Sequence, residues 1–230
     1  MALADDLKAD VAAIFRAQWD VRDGRVVPAA EDLRLANYAV KLDATVMYAD
    51  LADSTVLVDT YPPLFAAEIY KTFLRCAAKI IRHDGGETTA YDGDRIMAVF
   101  IGNMKNTTAV KTALKIHHVV RNIVTPAIKA QYPKVAYEPK HVVGIDTSTL
   151  HVARTGVRGA NDLVWVGRAA NHAAKLAANS ETYRTYISED VYKVLADEAK
   201  YSKGTDMWTP MKWTAFDGRT IYGSAYWWTF

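Results

Sequence analysis

Cysteine is almost missing from this chain: Cys76 is the only one in 230 residues. A lone thiol excludes an intramolecular disulfide and a cysteine-built zinc cluster, and it fits a reducing, cytoplasmic setting. An excess of one charge sign is missing too. Lys+Arg number 28 against 26 Asp+Glu, a formal +2, so no nucleic-acid partner is expected. No window approaches the roughly 18 apolar residues of a membrane span. Residues 1–10 carry Asp5, Asp6, Lys8 and Asp10 where a secretory signal would have an apolar core. Neither a membrane anchor nor export is expected. Repeats and low-complexity tracts are also absent. What remains is an ordinary globular composition, 50% hydrophobic and 23% charged. A chain of this length buries roughly 70% of its unfolded surface without staples.

Residues 3–19 place Leu3, Leu7, Val11, Ile14, Phe15 and Trp19 at helical spacing. Asp23-Gly24 and Pro28 break that pattern. The segment 1–38 therefore reads as an N-terminal helical appendage whose apolar stripe must pack on the main domain or on a second subunit. From Lys41 to Asp50 the pattern alternates, with Leu42, Ala44, Val46, Tyr48 and Asp50 on one face, which predicts a strand. A helix follows over 54–82, interrupted at Pro62-Pro63 and ended by Asp84-Gly85-Gly86. A hairpin with its turn at Asp92-Gly93 comes next, then a long helix over 107–131. His141–Ser148 and Leu150–Arg154 read as two strands around a tight turn, and Leu163–Val166 as a short buried strand entering a helix at 168–179. One more helix is expected over 188–199. This order is a ferredoxin-like βαββαβ core with extra C-terminal strands, an α+β domain over 39–230.

Two acids fall where strands end, Asp50 and Asp94. In a βαββ arrangement the end of the first strand and the neighbouring hairpin turn come together, and two carboxylates there repel unless a cation sits between them. Hard oxygen ligands suit Mg²⁺ or Mn²⁺. Ser54 and Thr55 open a helix, whose free N–H groups suit phosphate. That is an inventory for a nucleoside triphosphate with two divalent ions. The competing reading is that aspartates at strand ends are turn residues or helix caps, and Asp53 and Asp92 are read that way. His117-His118 and Trp227-Trp228 read as packing or surface residues, since no carboxylate at metal spacing and no basic stripe accompanies them.

The motifs resemble those of the class III nucleotidyl cyclases, the adenylate and guanylate cyclases. Tyr48-Ala49-Asp50-Leu51-Ala52-Asp53-Ser54-Thr55 is similar to that family's first metal motif, and Gly93-Asp94-Arg95-Ile96-Met97 to its second. Gly144-Ile145-Asp146 with Gly156-Val157-Arg158-Gly159 resembles its glycine-spaced hairpin. Val164-Trp165-Val166-Gly167-Arg168 through Asn171 to Lys175 resembles the segment carrying the transition-state residues. The resemblance implies that Asp50, Asp94 and the Leu51 position hold two divalent ions (Mn²⁺ or Mg²⁺). It makes Asn171 the residue that orients the ribose. Lys175 falls where the family usually has arginine against the α-phosphate, which keeps the charge and loses the bidentate fork. Arg219 is a candidate for the triphosphate. The family builds each site between two subunits, so a homodimer is implied.

Purine cyclases of that family read the base with two side chains. The matching positions here are Ala90 and Val164, both apolar. Tyr48, on the face of Asp50, would shorten the pocket, which favours a one-ring base. The pattern resembles the stand-alone pyrimidine cyclases of bacterial anti-phage (Pycsar) systems. It implies a pyrimidine nucleoside triphosphate as substrate, UTP ahead of CTP, and a cyclic nucleotide read by a separate effector. The alternatives are an adenylate cyclase with a degenerate base pocket and a silent cyclase-like dimerisation or sensor module.

Overall fold

In the computed structural model, which describes residues 2–179 and 182–230, the chain opens with α1 (Leu3–Arg16) and β1 (Asp20–Asp23). Then comes β2 (Tyr38–Ala52), the strand expected from the alternation and longer than expected. It is followed by α2 (Ser54–Thr60), α3 (Pro63–His83), and the hairpin β3 (Glu87–Asp92) and β4 (Arg95–Phe100). The proline pair separates α2 from α3, with Pro63 in the first turn, where its missing N–H costs nothing. A two-bond glycine cap ends α3. Gly86 N–H donates to the Ile81 carbonyl at 2.9 Å and Gly85, at φ +84°, to that of Arg82 at 3.2 Å.

The next helix runs as α4 (Lys105–Val119) and α5 (Thr125–Gln131) joined by a π turn over Val120–Val124. Pro126 explains the wider turn, because it has no N–H and its ring crowds the carbonyl four residues back. A single strand, β5 (Lys140–Val157), replaces the two strands and turn expected over 141–154. The reason is its neighbour: β2 pairs with it without a break from Ala39↔Ala153 to Ala52↔Lys140, which keeps Ser148 and Thr149 extended. The reversal falls instead at Gly156 and Gly159, both at positive φ, and leads into β6 (Ala160–Val166). This strand is not buried as expected; Val164 and Val166 face outward while Leu163 and Trp165 turn to the core.

The chain then forms α6 (Arg168–Ala177), β7 (Thr185–Ser188), α7 (Glu189–Lys193) and α8 (Asp197–Lys200). The single helix expected over 188–199 is thus two. Ser188 caps the first, and the second begins after Ala196, whose N–H donates to Thr107 Oγ1 at 3.1 Å. The small ribbon β8 (Tyr201–Ser202) and β9 (Thr205–Asp206), then β10 (Thr209–Trp213) and β11 (Arg219–Ser224), complete it.

The main sheet runs β10-β11-β7-β5-β2-β4-β3, with β1 parallel to the start of β2 and β6 antiparallel to the end of β5. Its segment β5-β2-β4-β3 is the antiparallel ferredoxin-like order, and β7, β11 and β10 are the extra C-terminal strands. Both faces of β2 are covered. Met47, Ala49 and Leu51 pack with Phe73, Ala77 and Leu114 of α3 and α4. Val40, Leu42, Ala44 and Val46 pack with Leu150, Val152 and the alanines Ala169, Ala170 and Ala173 of α6. That helix approaches closely because Gly144 lies under it; a Cβ there would stand 2.2 Å from the Ala173 carbonyl oxygen.

Within the segment 1–38, β1 pairs with β2, Leu33 is buried, and Arg154 donates to the Leu33 carbonyl at 3.2 Å. Helix α1 is tied on by Asn37, which donates to the Ile14 and Ala17 carbonyls. Its stripe of Leu3, Leu7, Val11, Ile14, Phe15 and Trp19 is exposed. Among the described residues no helix is long and apolar enough to cross a membrane.

His141 on β5 is fully buried. Its Nε2 meets no hydrogen-bond partner, and the His117 ring lies 5.5 Å away. Burial holds its imidazole well below the usual range, helped by His117 and Arg184, and burial lowers His117 and His172 as well. A depressed imidazole means that the unfolded chain takes up protons first. Stability should therefore hold above about pH 6.5 and fall progressively below it. Urea unfolding followed between about pH 7.5 and 5.5 should show that loss, and His141→Leu, which removes an unpaired nitrogen, should flatten it.

Candidate active site

Antiparallel pairing sets two rows of side chains across one face of the sheet. Asp50 on β2 and Asp92 on β3 both lie opposite Arg95 on β4; Tyr48 and Ala90 both lie opposite Met97. The β3 register is shifted between Thr88 and Ala90, and the shift brings Ala90 and Asp92 into these rows. Tyr48 therefore shares the face of Asp50, and Tyr48 and Ala90 pack against the same apolar cluster. Gly93, at φ +60°, turns the hairpin and delivers Asp94 to its tip.

Asp50, Leu51, Asp53, Ser54, Asp94 and Arg95 line one cleft of ≈ 360 Å³, closed by Ala177, Ala178 and Asn179 at the end of α6. The Asp50 side chain is only 15% exposed, and Arg95 Nη2 stands 3.0 Å from its Oδ2. Burial pushes its carboxyl above the usual carboxylate range; Arg95 pulls it back, and the charge of Asp94 pushes it up again. The cleft thus holds the mutually repelling carboxylates of Asp50 and Asp94, with the Arg95 guanidinium on Asp50, and at its edge Asp53, which pairs with Lys140. With the Leu51 carbonyl, Asp50 and Asp94 offer hard oxygen donors, and a divalent cation would remove the repulsion that raises Asp50. Two carboxylates and a carbonyl are the oxygen donors such an ion takes, and among the described residues no group of three or more acid, histidine or cysteine side chains gathers to hold one. Tyr48 is half-buried, and burial keeps its phenol protonated beyond the usual range; Arg95 Cζ lies 5.9 Å from its ring centroid.

Thr55 is exposed at the start of α2 and does not line the cleft. Asp53 sits at the N-cap position of α2 at φ +57°, but its side chain makes no cap; Lys140 Nζ stands 3.0 Å from its Oδ2. Asp53 thus holds the cap position read from the sequence, but its side chain serves Lys140 and not the helix. Nor does one chain gather the remaining candidates. Asp50 pairs with Val142 and Val164 with Ala153, eleven residues apart on β5. At about 3.3 Å per residue that is roughly 35 Å. Asn171 and Lys175 share the exposed side of α6. Lys175 leans over Phe216, on the β10–β11 side, and does not line the cleft of Asp50 and Asp94. Arg219 lines a separate pocket of ≈ 250 Å³ with Arg168, His172 and Asp190.

Arg95 is the cleft residue that sequence reasoning passed over. The signal was present, since a residue placed directly after the hairpin tip pairs across to the end of the first strand. Asp146 is the other. It is wholly buried in β5, with Arg168 Nε and His172 Nδ1 each 3.2 Å from Oδ2. Nothing in the strand pattern separates such an aspartate from an exposed one.

The fold has solved counterparts. The adenylyl cyclase CyaB from P. aeruginosa aligns with 81% of this chain and 95% of its own at TM-score 0.68 and 18% identity. The guanylyl cyclase Cya2 aligns with 82% of this chain and 94% of its own at TM-score 0.66 and 17% identity. This is the class III nucleotidyl cyclase fold, and the cleft falls where the metal motifs of that class were read. Among curated proteins, a uridylate cyclase of Xanthomonas perforans is 52% identical over 229 residues, 99% of each chain. One of Burkholderia cepacia is 54% identical over 231 residues, the full length of both, and one of Rhodovulum is 36% identical over 234. No family model matches the chain. By these full-length relatives the chain belongs to the uridylate cyclase family, and it is a nucleotidyl cyclase.

The Asp50–Arg95 pair carries a stability prediction of its own. Arg95→Met removes the cation from a mostly buried carboxylate and should cost about 1–3 kcal/mol at neutral pH. The loss should shrink as pH falls, because a protonated Asp50 no longer needs the partner; urea titrations near neutrality and at mildly acid pH give both values.

Proposed function

We propose that this protein converts UTP to 3′,5′-cyclic UMP and pyrophosphate at two equivalent sites of a homodimer. The row Tyr48–Met97–Ala90 beside Asp50 carries this reading. It offers a base an apolar floor, a phenol that stays protonated as a donor, and no polar side chain at the position that reads a purine edge. A purine would leave its edge unpaired, at roughly 1–3 kcal/mol per lost partner. The relatives named uridylate cyclase support the same base.

In the reaction the ribose 3′-oxygen attacks the α-phosphorus, the bond to the bridging oxygen of the β-phosphate breaks, pyrophosphate leaves, and the hydroxyl proton passes to solvent. Asp50 and Asp94, with the Leu51 carbonyl, would hold two Mg²⁺ or Mn²⁺ ions, which when bound acidify the hydroxyl and neutralise the triphosphate. Ser54 lines the same cleft and offers a hydroxyl to phosphate. Asn171 orients the ribose. Lys175 stabilises the charge that grows on the α-phosphoryl group, and Arg219 serves the phosphates. Val164 closes the base pocket from the other subunit.

The separation of Val164 from Asp50 along β5 supports the dimer: a site that uses both needs two copies of the chain. A two-fold axis then makes two sites, each with the acids of one chain and the α6 residues of its partner. In this reading the product is a cytoplasmic alarm signal in anti-phage defence, read by a separate effector. The lone thiol and the balanced charge agree with that setting.

The first test is to incubate the purified protein with Mn²⁺ and all four ribonucleoside triphosphates and to identify the cyclic products by mass. Cyclic UMP in excess is the expected outcome. Cyclic AMP in excess would keep the reaction and discard the pocket argument. A second test addresses the shared sites. Asp50→Asn and Asn171→Ala should each be dimeric and inactive alone. Mixed after subunit exchange, they should regain roughly a quarter of wild-type activity, because half the dimers then carry one intact site. Continued inactivity of the exchanged mixture would place both groups in the same chain's site.

A further inference from the structure

Lys175 is a point charge on a flexible four-carbon stem, where an arginine would bring a preorganised fork. Something must hold it if it is to act on a growing charge. Among the described residues it makes no ion pair with a carboxylate. Its Nζ instead lies 4.7 Å from the ring centroid of Phe216. We propose that Phe216 is a positioning residue for Lys175: an aromatic shelf, clamped to the core, that holds the ammonium over its face and leaves the positive charge free for the substrate. The proposal rests on the reading of Lys175 as the cation that meets the α-phosphoryl group.

The shelf is fixed from three sides. Phe216 sits in the turn between β10 and β11, where its N–H donates to the Trp213 carbonyl at 3.0 Å. Its ring stacks on Trp213, with centroids 4.6 Å apart and planes 23° from parallel. The His172 ring meets Phe216 edge-on at 4.9 Å and Trp213 at 5.3 Å. His172 is itself tied by its Nδ1 to Asp146 Oδ2 at 3.2 Å, and Asp146 is fully buried. A continuous path of contact therefore runs from a buried carboxylate on β5, through an imidazole and two aromatic rings, to the ammonium on α6. A carboxylate partner would hold Lys175 equally well but would cancel its charge. A π face holds a cation through the ring quadrupole and leaves its net charge intact.

The test uses the full-length dimer with Mn²⁺ and UTP. Phe216→Leu should lower kcat about tenfold and leave KM within about twofold, as expected for loss of a contact that matters in the transition state. Phe216→Tyr, which keeps the π face, should restore near-wild-type kcat. On a Lys175→Ala background, Phe216→Leu should cause no further loss. If Phe216→Leu fails to fold, Phe216→Met keeps most of the volume without the ring and carries the same comparison. Wild-type kcat in the ring-less variants, or an undiminished loss on the Lys175→Ala background, would overturn the shelf. Wild-type kcat in Lys175→Ala would instead overturn the role of Lys175 on which the shelf rests. A readout independent of activity is the NMR signal of ¹³C-methylated lysines. The Lys175 methyl resonance, assigned with Lys175→Arg, should show an upfield ring-current shift that Phe216→Leu abolishes; no such shift in the wild type would also overturn the proposal.

Discussion

The pairing of β2 with β5 runs unbroken from Ala39↔Ala153 to Ala52↔Lys140, and the placement of every candidate group depends on it. One end of this two-strand ribbon carries Asp50, with Asp94 brought alongside by the β3–β4 hairpin. The other end carries β6 and Val164. Because strands are stiff along their length, the two ends stay apart, and the chain cannot fold back to complete its own site. In the proposed reading, length in a strand thus becomes a requirement for a second molecule. The same pairing explains why β2 is apolar on both faces, since helices cover it from each side.

Helix α6 joins the two halves of the problem. Four of the six buried residues on its inner face are alanine, and Gly144 leaves out a Cβ that would strike its backbone. Close packing fixes its height above the sheet. Its start is pinned by charge: Arg168 reaches buried Asp146 and also Asp190 at 2.5 Å, while His172 takes the other approach to Asp146. A buried carboxylate is costly unless paired, so this cluster tolerates few rearrangements. What it fixes is rotation of α6 about its own axis, and that rotation decides where Asn171 and Lys175 point.

Much of this was legible in the sequence, and the reasons differ by element. The alternation through Lys41–Asp50 and the glycine and proline punctuation after it placed β2, α3 and the hairpin, because those signals are local. The acids at strand ends could be read by type and position, whereas Asn171 and Lys175 stood out only through the resemblance to the cyclase motifs. The single strand β5 could not, since Ser148 and Thr149 are held extended by a partner a hundred residues away. The break between α7 and α8 involves Thr107, again a distant residue. The single helix read over 107–131 passed over Pro126, the local signal for the π turn over Val120–Val124. The roles of Arg95, Asp146 and Phe216 come from cross-strand and cross-element neighbours, and no spacing rule within one segment reveals them.

The proposed pocket discriminates in an uncommon way. A site that reads a base edge with hydrogen bonds rejects the wrong base because its own polar groups are left unpaired. Ala90 and Val164 offer no such groups, so they cannot reject by that route. In the proposed reading Tyr48 supplies bulk instead. It lies opposite Met97 with the Arg95 guanidinium over its ring at 5.9 Å, and that same guanidinium pairs with Asp50. Exclusion of a second ring then costs the enzyme no unpaired donor or acceptor when the correct base is bound. It also places the size filter two residues from the metal acid on the same strand, so a base that is too deep for the floor moves its own ribose and α-phosphate away from Asp50. On this reading, selection and catalysis are one geometric condition, because the distance from the Tyr48 ring to the Asp50 carboxylate is set by a single rigid strand.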